Sequence, residues 1–332
     1  MRSGSVAVAS ILSKNRASCF GRLLLSWMET NGAEEFMWFS SDFTEVARQN
    51  SVMKIAVIIA SRNNPQGLET VISTLSLLDS GAHSIGYYVA HDVDDNVTPQ
   101  ALQRLKTYGI DVQLFAGNRP LYLGQPYNDI AQKITDADVY CTCTDRFIPL
   151  TQHWDQAIAL TMGKKDDCVF WWNSHVPGGQ LTFPIVSAKW LRASGRIYAA
   201  CFPFWFDDTW LAELNAFVHG LPHLMPPIYF ANVRKHPTKR LRDLRFWMDV
   251  YIAKRPERMA HAADISRKLG IKQAPNMEKI FEHCRVRERF WDEHWQEWEK
   301  IFGDVSAPDA TYLAAKAEAD AFMKAAREAV TP

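Results

Sequence analysis

The chain lacks most of the features that would place it quickly. Its six cysteines (Cys19, Cys141, Cys143, Cys168, Cys201 and Cys284) include no CxxC pair and no framework spacing, so neither zinc nor a disulfide scaffold has a signature here. Cys141 and Cys143 lie two apart in a predicted strand, hence on one face, and read as buried thiols of a protein from a reducing compartment. No apolar run approaches the length of a membrane span. Charge of one sign is missing too: 37 Lys and Arg balance 37 Asp and Glu in 332 residues. That balance removes the electrostatic case for nucleic acid or an anionic membrane as a bulk partner. There is no internal repeat and no long low-complexity tract.

What is present is aromatic and alternating. Twelve Trp within a 12% aromatic content fit a ligand-lined α/β protein better than a disordered or coiled-coil chain. The stretch Met53 to Pro65 carries a continuous apolar run, Ile55 to Ala60, that breaks into Ser61-Arg62-Asn63-Asn64. Such a run reads as a strand buried on both faces of a parallel sheet. Ligands of open α/β sheets bind beyond the carboxyl ends of such strands, where this polar cluster falls.

Strands are predicted at 54–60, 85–91, 111–115 and 138–144, and helices at 67–79, 98–108 and 126–136, with Thr98 as an N-cap and Pro99 at the first helical position. Their alternation implies βαβ crossovers and an α/β fold with a mainly parallel sheet. A helix at about 151–162, a strand at 168–173, a turn at Pro177-Gly178-Gly179, a helix at 187–194, a helix from near Asp208 and a strand at 227–232 follow. From about 237 the pattern is helical and charged, and Ser306 to Asp309 cap a last Ala-rich helix. Three segments result: an N-terminal extension, 1–52, expected to be poorly ordered; a catalytic domain, 53–236; and a helical region, 237–332. The first 27 residues carry Arg2, Lys14, Arg16 and Arg22 and no acid, a composition that imitates a transit peptide. The preferred reading is an extension ahead of a natural start at Met53.

The first predicted loop has neither GxGxxG nor GxxxxGK[ST], so two common phosphate cradles are absent. Acids stand instead at the ends of later strands: Asp92 and Asp94 after the second, Asp145 after the fourth, then Asp207-Asp208 leading a helix, with His236 further on. Hard oxygen ligands and an imidazole suit Mn²⁺ or Mg²⁺ against a diphosphate.

In these residues the sequence resembles family 2 of the GT-A glycosyltransferases over about residues 54–236. IIASRNNPQGLETVISTL is similar to that family's first strand, loop and helix. HDVDDNVT resembles its acidic turn, and GNRPLYLGQPYNDIAQKITDADVY the segment in which an Asn, here Asn128, precedes the metal-motif strand. TDRFIPLTQHW falls where the family has Asp-x-Asp, a Pro and a Trp. FDDTWLAEL, with Gly220, Pro226 or Pro227 and His236 downstream, follows the family's acidic helix, Gly, Pro and late His. The Asp-x-Asp motif is reduced to one acid, and Asp145 stands for either of the two.

The resemblance implies a GT-A fold and transfer of a sugar from a UDP- or GDP-sugar to a carbohydrate or glycolipid acceptor. It implies Asp208 as the base, Ala60, Ser61, Arg62, Asp92 and Asp94 at the nucleotide, and Asp145 and His236 at a Mn²⁺ or Mg²⁺ ion. Arg146, Asp207, Trp205 and Lys239 become donor or acceptor contacts. On residue type alone, Asp207 and Asp208 read first as helix-start acids, and Trp171, Trp172, Trp205 and Trp210 first as core. The run Arg234 to Arg240 reads as a phosphate-side loop or as a solvated face. The aromatic stripe Phe290, Trp291, Trp295, Trp298 and Phe302 reads first as a packed helix face and second as a partner or peripheral membrane contact. Cytoplasmic location is the expectation. The competing reading is a non-catalytic sugar-nucleotide-binding or assembly protein; a nucleotidyltransferase is a third, against which the first loop lacks the Gly and Lys it needs.

Overall fold

Ile55, Val57 and Ile59 point to one face of a strand and Ala56 and Ile58 to the other, and both sets are buried. The strand is β1 (Lys54–Ala60), the middle of a sheet with helices on each side. The computed structural model describes residues 52–174, 181–232, 241–273 and 275–328. β1 pairs in parallel with β2 (Ser84–Asp92) on one edge and β4 (Val139–Thr144) on the other, and β3 (Val112–Gly117) pairs in parallel beyond β2. Between them run α1 (Pro65–Leu78), α2 (Thr98–Thr107) and α3 (Gln125–Lys133).

The five strands after β4 are short. β5 (Phe147–Pro149) joins β7 (Asn173–Ser174) and, through a central β9 (Tyr229–Asn232), forms a separate three-stranded sheet. β6 (Val169–Trp171) and β8 (Pro184–Ser187) complete the main sheet, whose order is β3-β2-β1-β4-β8-β6 with β8 antiparallel to both its neighbours. The predicted strand at 168–173 is thus split between two sheets. No strand was expected at Pro184–Ser187, since four residues are too few to show a period. The order reverses at β1: the chain winds outward to β3, then returns to place β4 on the free side of β1. That topological switch opens a crevice at the carboxyl ends of β1 and β4.

One face of the sheet carries α1, with Leu68, Val71, Ile72 and Leu75 against Ile55, Val57 and Ile59, and α4 (Trp154–Lys164). Cys141 and Cys143 are buried together on this face, as their spacing predicts. The other face carries α3, α5 (Ala188–Ser194) and α6 (Asp207–His219), then α7 (Leu244–Ala253), α8 (Arg255–Leu269), α9 (Met277–Phe302) and α10 (Ala310–Glu328). Trp247 and Tyr251 of α7, Trp291 of α9 and Tyr312 of α10 share one apolar core with Ala56, Ile58 and Tyr140 of the sheet. Of the proposed extension only Val52 is among the described residues, and the proposed boundary at 236 also falls outside them.

One cap differs from expectation and one falls within the predicted segment. Thr98 is the first helical residue rather than the N-cap of α2, because Asp95 does the capping: its Oδ1 accepts the N–H groups of Val97 and Thr98, each at 3.0 Å. At α10 the cap is Asp309, whose Oδ1 accepts Tyr312 N–H at 2.8 Å.

Candidate functional site

Polar groups from three strand ends, β1, β2 and β4, meet at the switch point. Ser61 leaves β1 with its N–H on the Ala90 carbonyl at 3.0 Å, and its hydroxyl donates to Asp145 Oδ2 at 3.0 Å across the crevice. Asn64 caps α1 by accepting Gly67 N–H at 3.2 Å, while its amide donates to the Asp145 carbonyl at 3.2 Å. Asn63, in the left-handed region at φ 53°, gives its N–H to Asp95 at 2.9 Å. The cluster after β1 is therefore the staple that fixes the β4 end. Burial raises the Asp145 carboxyl above its ordinary range, against the lowering effect of the Ser61 and Asn64 hydrogen bonds and Arg146.

Arg62 is held by two acids from the end of β2. It pairs with Asp92 and donates to Asp94 at 2.9 Å. Asp92 is mostly covered and Asp94 exposed, so this edge of the crevice presents an Arg–Asp pair rather than two bare carboxylates. Ala60, Ser61, Arg62, Asp92, Asp145 and Arg146 all line one cleft of about 1850 Å³. Asp94 does not line it.

The opposite wall of that cleft is the start of α6. Phe206 enters the helix at φ 80° and Ala200 sits at φ 51°, left-handed conformations that cost side-chain-bearing residues roughly 1–3 kcal/mol each. This strained entry is fixed from α3 by Asn128, whose side-chain oxygen accepts Ile197 N–H at 3.0 Å and Tyr198 N–H at 2.9 Å, and whose amide donates to the Tyr198 carbonyl at 3.0 Å. Asp207 and Asp208 then leave the first turn in different directions. Asp207 is 6% exposed; Oδ1 accepts Ala200 N–H at 3.2 Å, and Oδ2 faces the backbone of Gly124 with no hydrogen bond of normal geometry. A Cβ at Gly124 would come within 2.8 Å of that oxygen and 2.4 Å of Tyr198 Cβ, so only glycine fits. Burial, then the neighbouring Asp208, push the Asp207 carboxyl up to about 8. Asp208 is half-buried, and its Oδ1 accepts Thr209 N–H at 2.7 Å and Thr209 Oγ1 at 3.2 Å. Its pKa is raised as well, mainly by burial.

One and a half turns along α6, Glu213 is almost wholly buried. Arg255, Arg258 and Arg287 reach its carboxylate at 3.2, 3.3 and 2.7 Å, and Tyr251 hydrogen-bonds it. Burial works against its charge, but Arg258, Arg287, Tyr251 and Arg255 together hold it at about 2. Arg258 is fully buried, with its guanidinium 3.9 Å from the Tyr251 ring centroid. The knot fastens α7, α8 and α9 to α6.

Trp171, Trp172 and Trp210 are core, as residue type predicts, whereas Trp205 is 38% exposed at the cleft and packs against Trp298 and Phe302 of α9. The α9 stripe is mostly a packed face: Trp291 is buried, Trp295, Trp298 and Phe302 are partly covered, and Phe290 is exposed. His219 is bonded to the Asp167 carbonyl at 2.9 Å, away from the cleft. His236, Lys239, the run 234–240 and the turn 177–179 lie outside the described residues. Among the described residues no three His, Cys, Asp or Glu side chains converge as metal ligands. The sequence points to Asn128 without its role and to His219 and His223 only as rival ligands more readily surface or core; the Glu213 knot and His283 in the cleft wall carry no signal in it.

No protein-family model matches the chain, and no curated protein sequence matches it. The fold is similar to solved structures of GT-A glycosyltransferases. One is GalNAc-T7 with UDP, GalNAc and Mn²⁺, at 11% identity and a TM-score of 0.49, over 71% of this chain and 57% of that one. Another is S. aureus TarS 1–349 with UDP-GlcNAc, at 11% identity and a TM-score of 0.48, over 64% of this chain and 70% of that one. The chain thus spans little more than half the length of the first.

Proposed function

We propose that this chain is a family-2-like GT-A glycosyltransferase that moves a sugar from a UDP- or GDP-sugar to a carbohydrate or glycolipid acceptor, with inversion at the anomeric carbon. The observation that carries the reading is one cleft at the sheet's switch point that joins Asp145, Ser61 and the Arg62–Asp92 pair to Asp208 on the facing wall. The strand-end side receives the nucleotide, and the α6 side receives the acceptor.

Asp208 is the base. Of the two adjacent acids it is the more accessible, and a carboxyl raised by burial is a better proton acceptor than an ordinary one. It takes the proton of the acceptor hydroxyl as that oxygen bonds to the anomeric carbon; the bond to the diphosphate breaks and its electron pair leaves with the nucleotide. Asp207, buried and protonated near neutral pH, positions the α6 entry instead of reacting. Asp145, whose carboxylate is oriented by Ser61, and His236 would hold a Mn²⁺ or Mg²⁺ ion, a hard cation suited to carboxylate oxygen. When bound, that ion supplies Lewis-acid stabilisation of the leaving group. Cytoplasmic location belongs to this reading, supported by buried, unpaired thiols at Cys141, Cys143, Cys168 and Cys284.

Asp208→Asn should retain nucleotide-sugar binding in a thermal-shift assay and lose roughly 10²- to 10⁴-fold in transfer. Full turnover by that variant removes Asp208 from the mechanism. The second reading, a binding protein without catalysis, draws on Asp145 having no converging metal partners among the described residues. Tight UDP binding unaffected by Mn²⁺, with no donor consumed by the wild type, decides for it.

A further inference from the structure

The corner of the cleft where α9 meets the segment before β9 holds buried nitrogens that no group among the described residues bonds. Arg287 spends one end of its guanidinium on Glu213 at 2.7 Å and Tyr251 at 3.3 Å, while its Nε is buried without a hydrogen-bond partner among the described residues. His223 stands with its ring 4.9 Å from that of Trp171, and its Nδ1 is likewise buried and unpartnered. His283 lies one turn before Arg287 on the same face of α9, and all three residues line the cleft. Buried polar atoms in native proteins are nearly always paired, so two orphans in one cleft wall mark a place where a ligand group completes the bonding.

The sign of that group follows from charge. Inside the knot three guanidiniums, Arg255, Arg258 and Arg287, face two carboxylates, Glu213 and Glu288. One positive charge is left over, and its field reaches both histidines: burial lowers His223 to about 4, with His283 and Arg287 adding to the effect, and burial then Arg287 lower His283. Outside the knot, Arg287 also favours the ionised form of Asp208. An oxyanion is what such a corner takes, since Arg and imidazole N–H groups are donors of charge-assisted bonds.

We infer that His223, His283 and Arg287 form a subsite for a phosphate group carried by the acceptor, beside the base. The assignment to acceptor rather than donor rests on the glycosyltransferase reading and on placement. The Arg287 guanidinium lies 5.0 Å from the Trp291 ring, which packs 5.2 Å from Phe206 at the α6 entry that carries Asp208. Arg287 favours the ionised form of Asp208, whereas Asp145 at the strand-end side is charge-compensated by Arg146. A phosphate held here brings a neighbouring hydroxyl of the same acceptor to Asp208 and leaves the diphosphate pocket free.

Inorganic phosphate is the probe, titrated calorimetrically into the full chain with and without saturating UDP. The expected result is saturable phosphate binding that persists with UDP bound. His283→Gln, on an exposed face, and His223→Gln should weaken it tenfold or more without changing UDP affinity; Arg287→Lys keeps the charge on Glu213 and tests the guanidinium alone. Phosphate binding unaltered by all three variants, or no saturable binding, overturns the subsite. Competition between phosphate and UDP, with the variants weakening both, overturns the acceptor assignment and gives these residues to the donor diphosphate. Failure of UDP to bind while phosphate still does counts against the glycosyltransferase reading and leaves the anion site standing.

Discussion

Two turns of the same helix treat a buried carboxylate in opposite ways. At the entry of α6, Asp207 is pushed up to about 8; one and a half turns further, Glu213 is held at about 2. Burial opposes ionisation at both. The difference is the company: Asp207 faces Asp208 and two backbone segments, whereas Glu213 faces three guanidiniums and a phenol. Depth therefore sets the cost of a charge, and the neighbours decide whether it is met. The first turn is left poised, which suits chemistry; the second is locked, which suits a scaffold.

The largest effect that would break this contrast is removal of the Glu213 charge. Glu213→Gln leaves three guanidiniums partly unpaired and should cost about 3–5 kcal/mol, read as a fall in the denaturant midpoint with unchanged slope. In the wild type the same carboxylate makes stability depend on acid. Its folded pKa lies below the 4.5 of the unpaired group, so its contribution is complete above about pH 4.5 and is lost as pH falls through about 2. Chemical denaturation across that window should show the loss, and a flat profile would mean that the knot is not ionised.

Asp207 should run the other way. Between its ordinary 3.8 and about 8 the folded protein keeps a proton that the unfolded chain has released, so stability falls as pH rises through that range. Asp207→Asn, which carries no charge, should flatten the slope and gain on the order of a few kcal/mol over the wild type at pH 8 relative to pH 4. Equal slopes would place the Asp207 proton elsewhere. The smallest effect belongs to the strand-end side. Arg62 is partly exposed in its pair with Asp92 and Asp94, so Arg62→Ala should change stability by about 0–1 kcal/mol. If Arg62 touches the nucleotide, UDP affinity should fall at least several-fold in the same variant, by calorimetry.

The α/β alternation, the strand ends and the helix starts were legible because each depends on a local period or a local polar break. β1 is complete in the sequence: six apolar residues in a row have no solvent face to offer. β8 was not legible, because four residues between β4 and β6 take their pairing from strands far away in sequence. The acids Asp145, Asp207 and Asp208 could be listed, yet Arg62's hold on Asp92 and Asp94, and Ser61's on Asp145, join residues 30 or more apart. The Glu213 knot spans still more: its donors lie 42, 45 and 74 residues downstream. An isolated Glu in an apolar helix gives no sign of that.

What the sequence determined by itself is where chain polarity changes, hence which segments must be buried and where a crevice opens at the strand ends. Burial of apolar surface is additive and local enough to be read from composition and period. Which of the acids is charged, which donor is left unpaired and which face of the cleft is positive were decided only by the tertiary structure. Electrostatic free energy depends on distances between groups remote in the chain, and on how much water remains between them.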